Sequence, residues 1–326
     1  MLAAVVEPGS RLVVRRGSVV IVKKSGEKIT LPPDIEMVVL VTGRCSVSGQ
    51  ALRALLERGV TLAVLGPRGD VLGFLQPSVP NKTAATRLAQ MARVLRGEGM
   101  VVAKWLVYAK IMGQANNLKY LAKALREPWL RDKGYEIDSV AAALYEKEPS
   151  ELDARKLMEA EAYAARLYWS TLSTLLPEGL GFRGRCPECR DPVNAALNLA
   201  YAILYSVARR ALTLAGLDPY IGVLHTMKSG RESLVYDYSE PYKPGIDRVL
   251  FAKPRRLGEL RVNENGLLDT ESRRTVVEAA TEALERLYPH RGRRKPLKRI
   301  IEVEAWALAS WFRSGGEYRA WHLPVG

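Results

Sequence analysis

The segment VNAALNLAYAILYSVARRALTLA, residues 193–215, is apolar on most faces of a helix. A helix with this pattern is buried on most sides, so we place it at the centre of a helical domain. Gly216 follows it directly. Glycine adopts a positive φ at little steric cost and is favoured just past the end of a helix. The sequence therefore predicts a central buried helix that ends before Gly216.

The regions on either side of this helix differ in periodicity. In the first 76 residues, short runs of β-branched residues alternate with turn signals, as is typical of strands. Two prolines within the segment QPSVPN, residues 76–81, then break the pattern. From Thr83 onward the pattern is helical almost throughout. The predicted helices cover residues 83–97, 100–126, 136–146, 151–176, 193–215 and 271–287.

These patterns predict an α+β fold in which strands and helices are segregated along the chain. A small β-rich N-terminal domain is expected over residues 1–76, and a linker over residues 77–83. A large all-α domain is expected over residues 84–326, and we expect it to carry the chemistry.

Local signals support the strands of the N-terminal domain. The sequence KKSGEK at residues 23–28 predicts a hairpin turn. One helix is predicted over Ser48–Arg58, between strands. Ser46 or Ser48 would cap its first turn, because a serine hydroxyl accepts a hydrogen bond from a free backbone N–H there, and Gly59 would follow its end.

The composition indicates a partner of opposite charge. The 326 residues include 49 Lys and Arg but only 35 Asp and Glu, which gives a formal net charge of +14. Such a balance favours nucleic acid, and favours it over a membrane because no long amphipathic basic helix stands out. No segment approaches the roughly 18 apolar residues that suggest a membrane span. We expect a cytoplasmic protein that binds nucleic acid; an ordinary basic protein is the alternative.

One carboxylate lies where an apolar side chain is expected. In LMEAEAYAARLYWSTLSTLL, residues 157–176, Glu161 falls on the helical stripe that contains Leu157, Tyr168 and Leu172. The positions one turn before and after it hold no basic side chain. A carboxylate that faces a core must be protonated, hydrogen-bonded or paired with a cation from elsewhere. The alternative is a helix at the edge of the protein, with Glu161 reaching solvent.

A second acidic cluster follows an isolated histidine. His225 ends an apolar run, and a histidine in such a place is more often a satisfied core residue than a ligand. In SLVYDYSEPYKPGID, residues 233–247, Asp237 and Glu240 share one helical face and Lys243 follows three residues later. A surface acidic pair with Lys243 as its salt-bridge partner is the alternative to a functional site.

Taken together, Glu161, His225 and Glu240 supply two carboxylates and one imidazole from distant segments. This donor set suits Mg²⁺ or Mn²⁺ better than zinc, which favours histidine and cysteine ligands. In a basic protein such a site would act on a phosphodiester, because a bound metal polarises a non-bridging phosphate oxygen. The spacing alone leaves the structural alternatives open.

The run HRGRRKPLKR, residues 290–299, is strongly basic and contains no acidic residue. It also lacks interleaved aromatic residues, which favours contact with phosphates over stacking on bases. A solvated loop is the alternative. The candidate phosphate contacts are Arg291, Arg293, Arg294, Lys295, Lys298 and Arg299.

Several uncommon motifs in this chain occur together, and in this order, in one known family. They are the segments 43–77, 161–169 (EAYAARLYW), 187–225 (beginning PECRDPVN) and 233–250 (SLVYDYSEPYKPGIDRVL). The chain resembles the Cas1 family of CRISPR-associated endonucleases and integrases from about residue 10 to 250. The last 75 residues are only loosely similar to that family.

The resemblance implies roles for individual residues. Glu161, His225 and Glu240 match the metal ligands of the family, and Asp237 and Lys243 match flanking positions that assist the active site. The metal would be Mg²⁺ or Mn²⁺. A further phosphate contact is expected just before the 233–247 segment, at Arg231.

The resemblance also implies an activity and partners. The family's activity would be the insertion of short DNA fragments into a CRISPR repeat array by transesterification, with cleavage of branched or single-stranded DNA. The expected assembly is a homodimer formed through the β-rich domains, combined with the small Cas2 protein. A non-catalytic DNA-binding assembly factor is the alternative, and a metal-dependent ribonuclease is a third possibility.

One motif departs from the family pattern. Cys186 and Cys189 form a C-x-x-C pair where the family usually has none. A zinc knuckle would need two further ligands, and a redox motif would open a helix in a βαβ unit. Coincidence or a local disulfide is therefore favoured.

Overall fold

A computed structural model describes residues 1–78, 83–224 and 230–325 of the chain. Strands dominate the first 78 residues, and helices dominate the remainder. The predicted α+β fold class is thus confirmed. Of the predicted linker, residues 79–82 lie outside the described part, as do His225 and Gly326.

Within residues 1–78 the structure forms two four-stranded sheets and one helix. The elements are β1 (Leu2–Val5), β2 (Arg11–Arg15), β3 (Ser18–Val22), β4 (Lys28–Thr30), β5 (Met37–Leu40), β6 (Ser46–Val47), α1 (Gly49–Glu57), β7 (Thr61–Leu65) and β8 (Val71–Leu75). One sheet has the order β1-β5-β7-β8, in which β1, β5 and β7 are parallel and β8 is antiparallel to β7. The other has the order β4-β3-β2-β6, antiparallel except for the parallel pair β2 and β6.

The local signals in this region are confirmed. β3 and β4 pair in antiparallel fashion on either side of the predicted KKSGEK turn. Ser48 is the N-cap of α1, and its hydroxyl accepts a hydrogen bond from the backbone N–H of Ala51 at 3.2 Å. Gly59 follows the helix with φ of +74°. Helix α1 buries Leu55 in the apolar core that the two sheets share with it.

The rest of the chain contains ten helices and one short hairpin in its described part. They are α2 (Thr83–Leu95), α3 (Gly99–Leu125), α4 (Trp129–Tyr145), α5 (Ala154–Ser173), α6 (Pro192–Leu214), α7 (Ser233–Ser239), α8 (Lys243–Phe251), α9 (Pro254–Gly258), α10 (Thr270–Glu285), β9 (Leu287–His290), β10 (Arg293–Pro296) and α11 (Leu297–Ser314). The six predicted helices are present, with ends shifted by a few residues and with α4 beginning seven residues early.

The basic run at residues 290–299 is not a loop throughout: it covers the end of β9, a two-residue turn, β10 and the first residues of α11. β9 and β10 form a two-stranded antiparallel hairpin, and α11 begins directly after it. The two residues between the strands, Arg291 and Gly292, have φ of +48° and +76°. A two-residue type I′ turn requires a positive φ at both central residues, and its backbone twist matches that of the two strands. The expectation of an all-α second part is therefore corrected by this hairpin.

The chain divides into two compact units that differ in extent from the predicted domains. The first unit contains Met1–Pro80, Pro187–Ser206 and Glu259–Thr281, and the second contains Asn81–Cys186, Val207–Gly258 and Glu282–Gly326. The first unit thus takes two segments from the helical part of the sequence. The boundary falls within α6, whose residues are buried along most of its length.

No helix in the described part of the chain is long and apolar enough to cross a membrane.

The second unit contains a fully buried arginine. The Arg248 guanidinium donates hydrogen bonds to Oδ1 of Asn117 at 3.3 Å and to the carbonyl oxygens of Asn116 at 3.3 Å and Pro324 at 2.7 Å. It also lies over the ring of Tyr120, 4.4 Å from the centroid. Burial lowers the pKa of Arg248 to about 10. The arginine therefore joins α8, α3 and the C-terminal segment.

Replacing this arginine should destabilise the protein. Arg248→Met removes the donors to two buried carbonyls and one amide oxygen, so we expect the free energy of unfolding to fall by about 3 kcal/mol. Chemical denaturation would measure it. The control is Arg256→Met, at an exposed position of α9, which should change stability by about 0.5 kcal/mol or less. Equal losses in the two variants would contradict a structural role for Arg248.

Candidate metal and phosphate site

Two carboxylates that lie far apart in the sequence meet at one lysine. Nζ of Lys110 lies 2.5 Å from Oε1 of Glu161 and 2.6 Å from Oε2 of Glu240. Lys110 belongs to α3 and Glu161 to α5, and Glu240 begins a 3₁₀ turn between α7 and α8. All three residues lie in the second unit. Three separate segments therefore converge on one ammonium group.

The backbone of α3 determines how closely these segments approach. This helix is buried along most of its length, and Lys110 projects from its middle. One turn later, a Cβ atom placed on Gly113 would lie 3.0 Å from Cγ of Pro244, which is closer than nearly all real Cβ contacts. The absence of a side chain at Gly113 thus lets the start of α8 approach α3. This approach brings the Glu240 turn within reach of Lys110.

The cluster is largely removed from solvent. The side chains of Lys110, Glu161 and Glu240 are 13%, 14% and 7% exposed. Burial opposes ionisation of Glu240, but the ammonium groups of Lys110 and Lys243 outweigh it and lower the pKa of this carboxyl to about 2. Burial likewise opposes the charge on Lys110, but Glu240 and Glu161 outweigh it and raise the pKa of its ammonium above the usual value. Glu240 and Lys110 are therefore both charged at neutral pH.

Lys243 binds the other oxygen of Glu240. Its Nζ donates a hydrogen bond to Oε1 at 2.5 Å, so each oxygen of this carboxylate lies against a different lysine. The structural alternative for this segment is a surface acidic pair with Lys243 as its partner. Lys243 does pair with Glu240, but the pair is buried. Among the described residues, no donor makes a well-aligned hydrogen bond to the buried Oε2 of Glu240. The ammonium group of Lys110 lies 2.6 Å from that oxygen.

Asp237 has a different position from the other acidic residues. Its Oδ2 accepts hydrogen bonds from the backbone N–H groups of Val223 at 2.7 Å and Leu224 at 3.0 Å. These are the two residues immediately before His225. The carboxylate thus anchors the backbone that leads into the predicted histidine ligand, and Asp237 is a positioning residue in this arrangement.

Only two of the three predicted metal ligands can be placed. His225 lies outside the described residues. Within residues 1–78, 83–224 and 230–325, no group of three or more histidine, cysteine, aspartate or glutamate side chains could hold a metal ion. The structure brings Glu161 and Glu240 together, and the role of all three residues as metal ligands stays a prediction.

The groups that are placed fit a divalent cation of the Mg²⁺ or Mn²⁺ type. Such ions prefer carboxylate oxygens, and two converge here from different elements. Oε2 of Glu240, which lacks an aligned donor, faces the same point as Oε1 of Glu161, where a cation already lies. The site is therefore built to surround positive charge.

The predicted phosphate contacts differ in their surroundings. Arg291, Lys298 and Arg299 each lie against a carboxylate: Arg291 contacts Glu304 at 3.0 Å, Lys298 contacts Glu285 at 2.6 Å and Arg299 contacts Glu302. Lys295 Nζ lies 3.3 Å from Nδ1 of the buried His290.

Arg293 and Arg294, the other two hairpin arginines, are more accessible for phosphate contact. Arg294 is exposed and donates a hydrogen bond to the carbonyl oxygen of Leu287 at 3.1 Å. Arg293 is exposed, and no carboxylate pairs with it in the described part of the chain. Arg231 is also exposed, with its guanidinium 5.2 Å from the ring centroid of Tyr236. Arg293 and Arg294 are therefore the strongest candidates for phosphate contact.

Sequence reasoning did not identify Lys110. It correctly indicated that Glu161 needs a cation from outside its own helix, but the partner lies 51 residues earlier. A signal was present: Lys110 is the one charged residue in the otherwise apolar segment WLVYAKIMG, residues 105–113. A lysine there must find an anion or reach solvent, so it could have been matched with Glu161.

The C-x-x-C pair forms a local bond. Cys186 and Cys189 are joined by a disulfide, which was one of the two interpretations left open. Cys45 is free and partly buried.

Comparison with known protein families gives one consistent match. The family model for CRISPR associated protein Cas1 matches residues 3–282. A CRISPR-associated endonuclease Cas1 of Hyperthermus butylicus is 44% identical to the chain, covering 97% of this chain and 96% of that protein. A second, from Pyrobaculum aerophilum, is 38% identical and covers 95% of this chain and 98% of that protein.

Solved structures show the same fold at lower identity. A casposase bound to an integration product has a TM-score of 0.84 at 21% identity and covers 98% of this chain and 92% of that one. A chain of a Cas6-RT-Cas1–Cas2 complex has a TM-score of 0.76 at 19% identity and covers 98% of this chain and 36% of that one. A CAS1 protein from Thermotoga maritima has a TM-score of 0.74 at 19% identity, covering 97% and 99%. Because the family model spans most of the sequence and these two relatives match it nearly end to end, the chain belongs to the Cas1 family of CRISPR-associated proteins.

Proposed function

We propose that this protein is a metal-dependent DNA endonuclease and integrase of CRISPR adaptation. The observation that carries the proposal is the convergence of Glu161 and Glu240 on one buried cation position. Family membership supports the same function, since the curated relatives are named CRISPR-associated endonucleases. The casposase of similar fold is described as bound to an integration product.

The proposed reaction is a transesterification on DNA. The 3′-hydroxyl of a short DNA fragment attacks a phosphodiester of the repeat array. A bond forms between this oxygen and phosphorus while the bond from phosphorus to the 3′-oxygen of the repeat breaks. The attacking hydroxyl loses a proton and the departing oxygen gains one, so one phosphodiester replaces another. Attack by water in place of the hydroxyl gives cleavage.

Glu161, His225 and Glu240 would hold the Mg²⁺ or Mn²⁺ ion. When bound, such an ion polarises a non-bridging phosphate oxygen and stabilises the charge that develops at phosphorus. Lys243 holds Oε1 of Glu240 through its 2.5 Å hydrogen bond and leaves Oε2 directed at the cation position. Asp237 holds the backbone amides of Val223 and Leu224, the two residues before position 225.

The charge of the protein supports DNA as the substrate. The formal net charge is +14, and Arg293 and Arg294 are exposed on a hairpin of the same unit as the carboxylates. Contacts of this kind bind the phosphate backbone without reading the bases. We further propose a homodimer that acts with Cas2; a Cas1–Cas2 complex of similar fold supports this partner.

Glu161→Gln should abolish catalysis in a folded protein. The change keeps the shape of the side chain but removes its charge, so we expect strand transfer to fall by about 100-fold or more. The assay is the joining of a short duplex to a supercoiled plasmid that carries a repeat array, with Mn²⁺, with and without Cas2.

The matched control is Glu159→Gln. Glu159 lies on the same helix, but its side chain is 64% exposed and 3.8 Å from Arg155, so its loss should leave joining unchanged. Salt-sensitive DNA binding without any joining by the unmutated protein would favour a non-catalytic assembly factor. Activity on RNA and not on matched DNA would favour a ribonuclease.

His225→Ala should reproduce the Glu161 defect. If both side chains bind one ion, the loss of either should lower joining to a similar extent and weaken the dependence on Mn²⁺. Titration of joining against Mn²⁺ concentration in both variants would measure this. Full activity of His225→Ala with unchanged metal dependence would remove the histidine from the site.

The hairpin arginines should contribute to DNA affinity through charge. Arg293→Ala combined with Arg294→Ala should weaken binding alike for unrelated DNA sequences. It should also reduce the slope of log affinity against log salt by roughly 1.8 if both arginines contact phosphates. Fluorescence anisotropy at several salt concentrations would measure the slope. Lys298→Ala is the control, because that ammonium already pairs with Glu285 at 2.6 Å, and its slope should change little.

A further inference from the structure

We infer that Lys110 is a resident counter-ion of the catalytic carboxylates, which a divalent metal must displace in order to bind. This inference rests on the proposed metal site and adds an internal competitor to it. The metal would bind by replacing the ammonium group of Lys110 between the two carboxylates.

The position of the ammonium group is the first support. Nζ of Lys110 lies within 2.6 Å of one oxygen from each glutamate, Oε1 of Glu161 and Oε2 of Glu240. A Mg²⁺ ion binds carboxylate oxygens at about 2.0–2.1 Å. An ion shared by the same two oxygens would therefore lie in the gap that Nζ fills, and the two cations cannot both occupy it.

The charges of the cluster are the second support. Two carboxylates face two ammonium groups, Lys110 and Lys243, so the described part of the cluster is neutral. A divalent ion added without any rearrangement would bring a net charge of +2 into a site whose side chains are at most 15% exposed. Like charges at such short range repel strongly where water is excluded. Withdrawal of one ammonium group relieves this repulsion.

Lys110 is the group that should withdraw, because Lys243 does not block the gap. Lys243 binds Oε1 of Glu240, whereas Lys110 binds Oε2 and also bridges to Glu161. Lysine has a flexible four-carbon stem and can move its charge without a backbone change. The side chain of Lys110 is also 13% exposed, so it is not fully enclosed.

The exchange explains how the site survives without a metal. Two buried carboxylates with no partner would repel each other and would be strongly destabilising. Lys110 keeps both charged and directed at a common point, so they are in place before an ion arrives. The cost is a weaker apparent affinity for the metal, because each binding event must break two ion pairs.

Removal of the competitor should strengthen metal binding. In Lys110→Met the carboxylates lack their counter-ion, so binding of Mn²⁺ relieves their repulsion. We expect the Kd for Mn²⁺, measured from the electron paramagnetic resonance signal of free Mn²⁺, to fall by at least about tenfold. The matched control is Lys119→Met: Lys119 is on the same helix, is also 13% exposed and pairs with a different carboxylate, Asp138. Its Kd should stay within about twofold of the unmutated value.

The outcomes separate this inference from the proposed function. Glu161→Gln should weaken Mn²⁺ binding, and the gain from Lys110→Met should shrink in that background, because the two residues share one site. Equal or weaker binding by folded Lys110→Met, with Glu161→Gln still impaired, would overturn the exchange and leave the metal site intact. Equal Mn²⁺ binding by Glu161→Gln and the unmutated protein would overturn both.

A second measurement needs no variant and holds even if Lys110→Met does not fold. Displacement should free the Lys110 amine, so its acetylation by acetic anhydride should rise several-fold when Mn²⁺ is added. Mass spectrometry of the unmutated protein would compare Lys110 with Lys119 as the internal reference. A labelling ratio that stays the same or falls on addition of Mn²⁺ would overturn the inference.

Discussion

The contact of one lysine with two glutamates is the constraint on which the candidate metal site depends. Lys110, Glu161 and Glu240 come from α3, α5 and the turn after α7, and each is mostly buried. Charged groups in such a place are tolerated only when they are paired, and removal of one partner leaves an uncompensated charge. The ammonium group of Lys110 therefore both holds these three elements together and compensates the charge of the two carboxylates.

The surrounding structure holds this contact in place from several directions. Helix α3 spans residues 99–125 and supplies both Lys110 and Gly113, the latter allowing the close approach of Pro244. Further along α3, Arg248 joins this helix to α8 and to the C-terminal segment through buried hydrogen bonds. On the far side of the turn, Asp237 binds the backbone amides that precede residue 225. Each of these supports lies within one compact unit.

Much of the architecture could be predicted from local patterns. The burial of α6, the Ser48 cap and the β3–β4 hairpin all follow from periodicity and from residues with specific turn or capping roles. The hairpin at residues 287–296 and the helix α11 were not predicted. The two strands are only four residues long, β9 contains a proline and β10 has three basic residues, so neither shows a clear alternation of apolar and polar residues. Their turn depends on positive φ at Arg291, which few non-glycine residues adopt.

The sequence by itself determined which residues were out of place: a glutamate on an apolar stripe, acidic residues beside a proline, and a family pattern that names Glu161, His225 and Glu240 as ligands. Such features depend on residue type and on spacing over a few residues, and both can be read from the sequence alone. Only the tertiary structure decided that Lys110 lies between the two glutamates and that Asp237 binds backbone. Such partners are chosen by the packing of helices, because an ion pair forms wherever folding brings opposite charges together, whatever their separation along the chain.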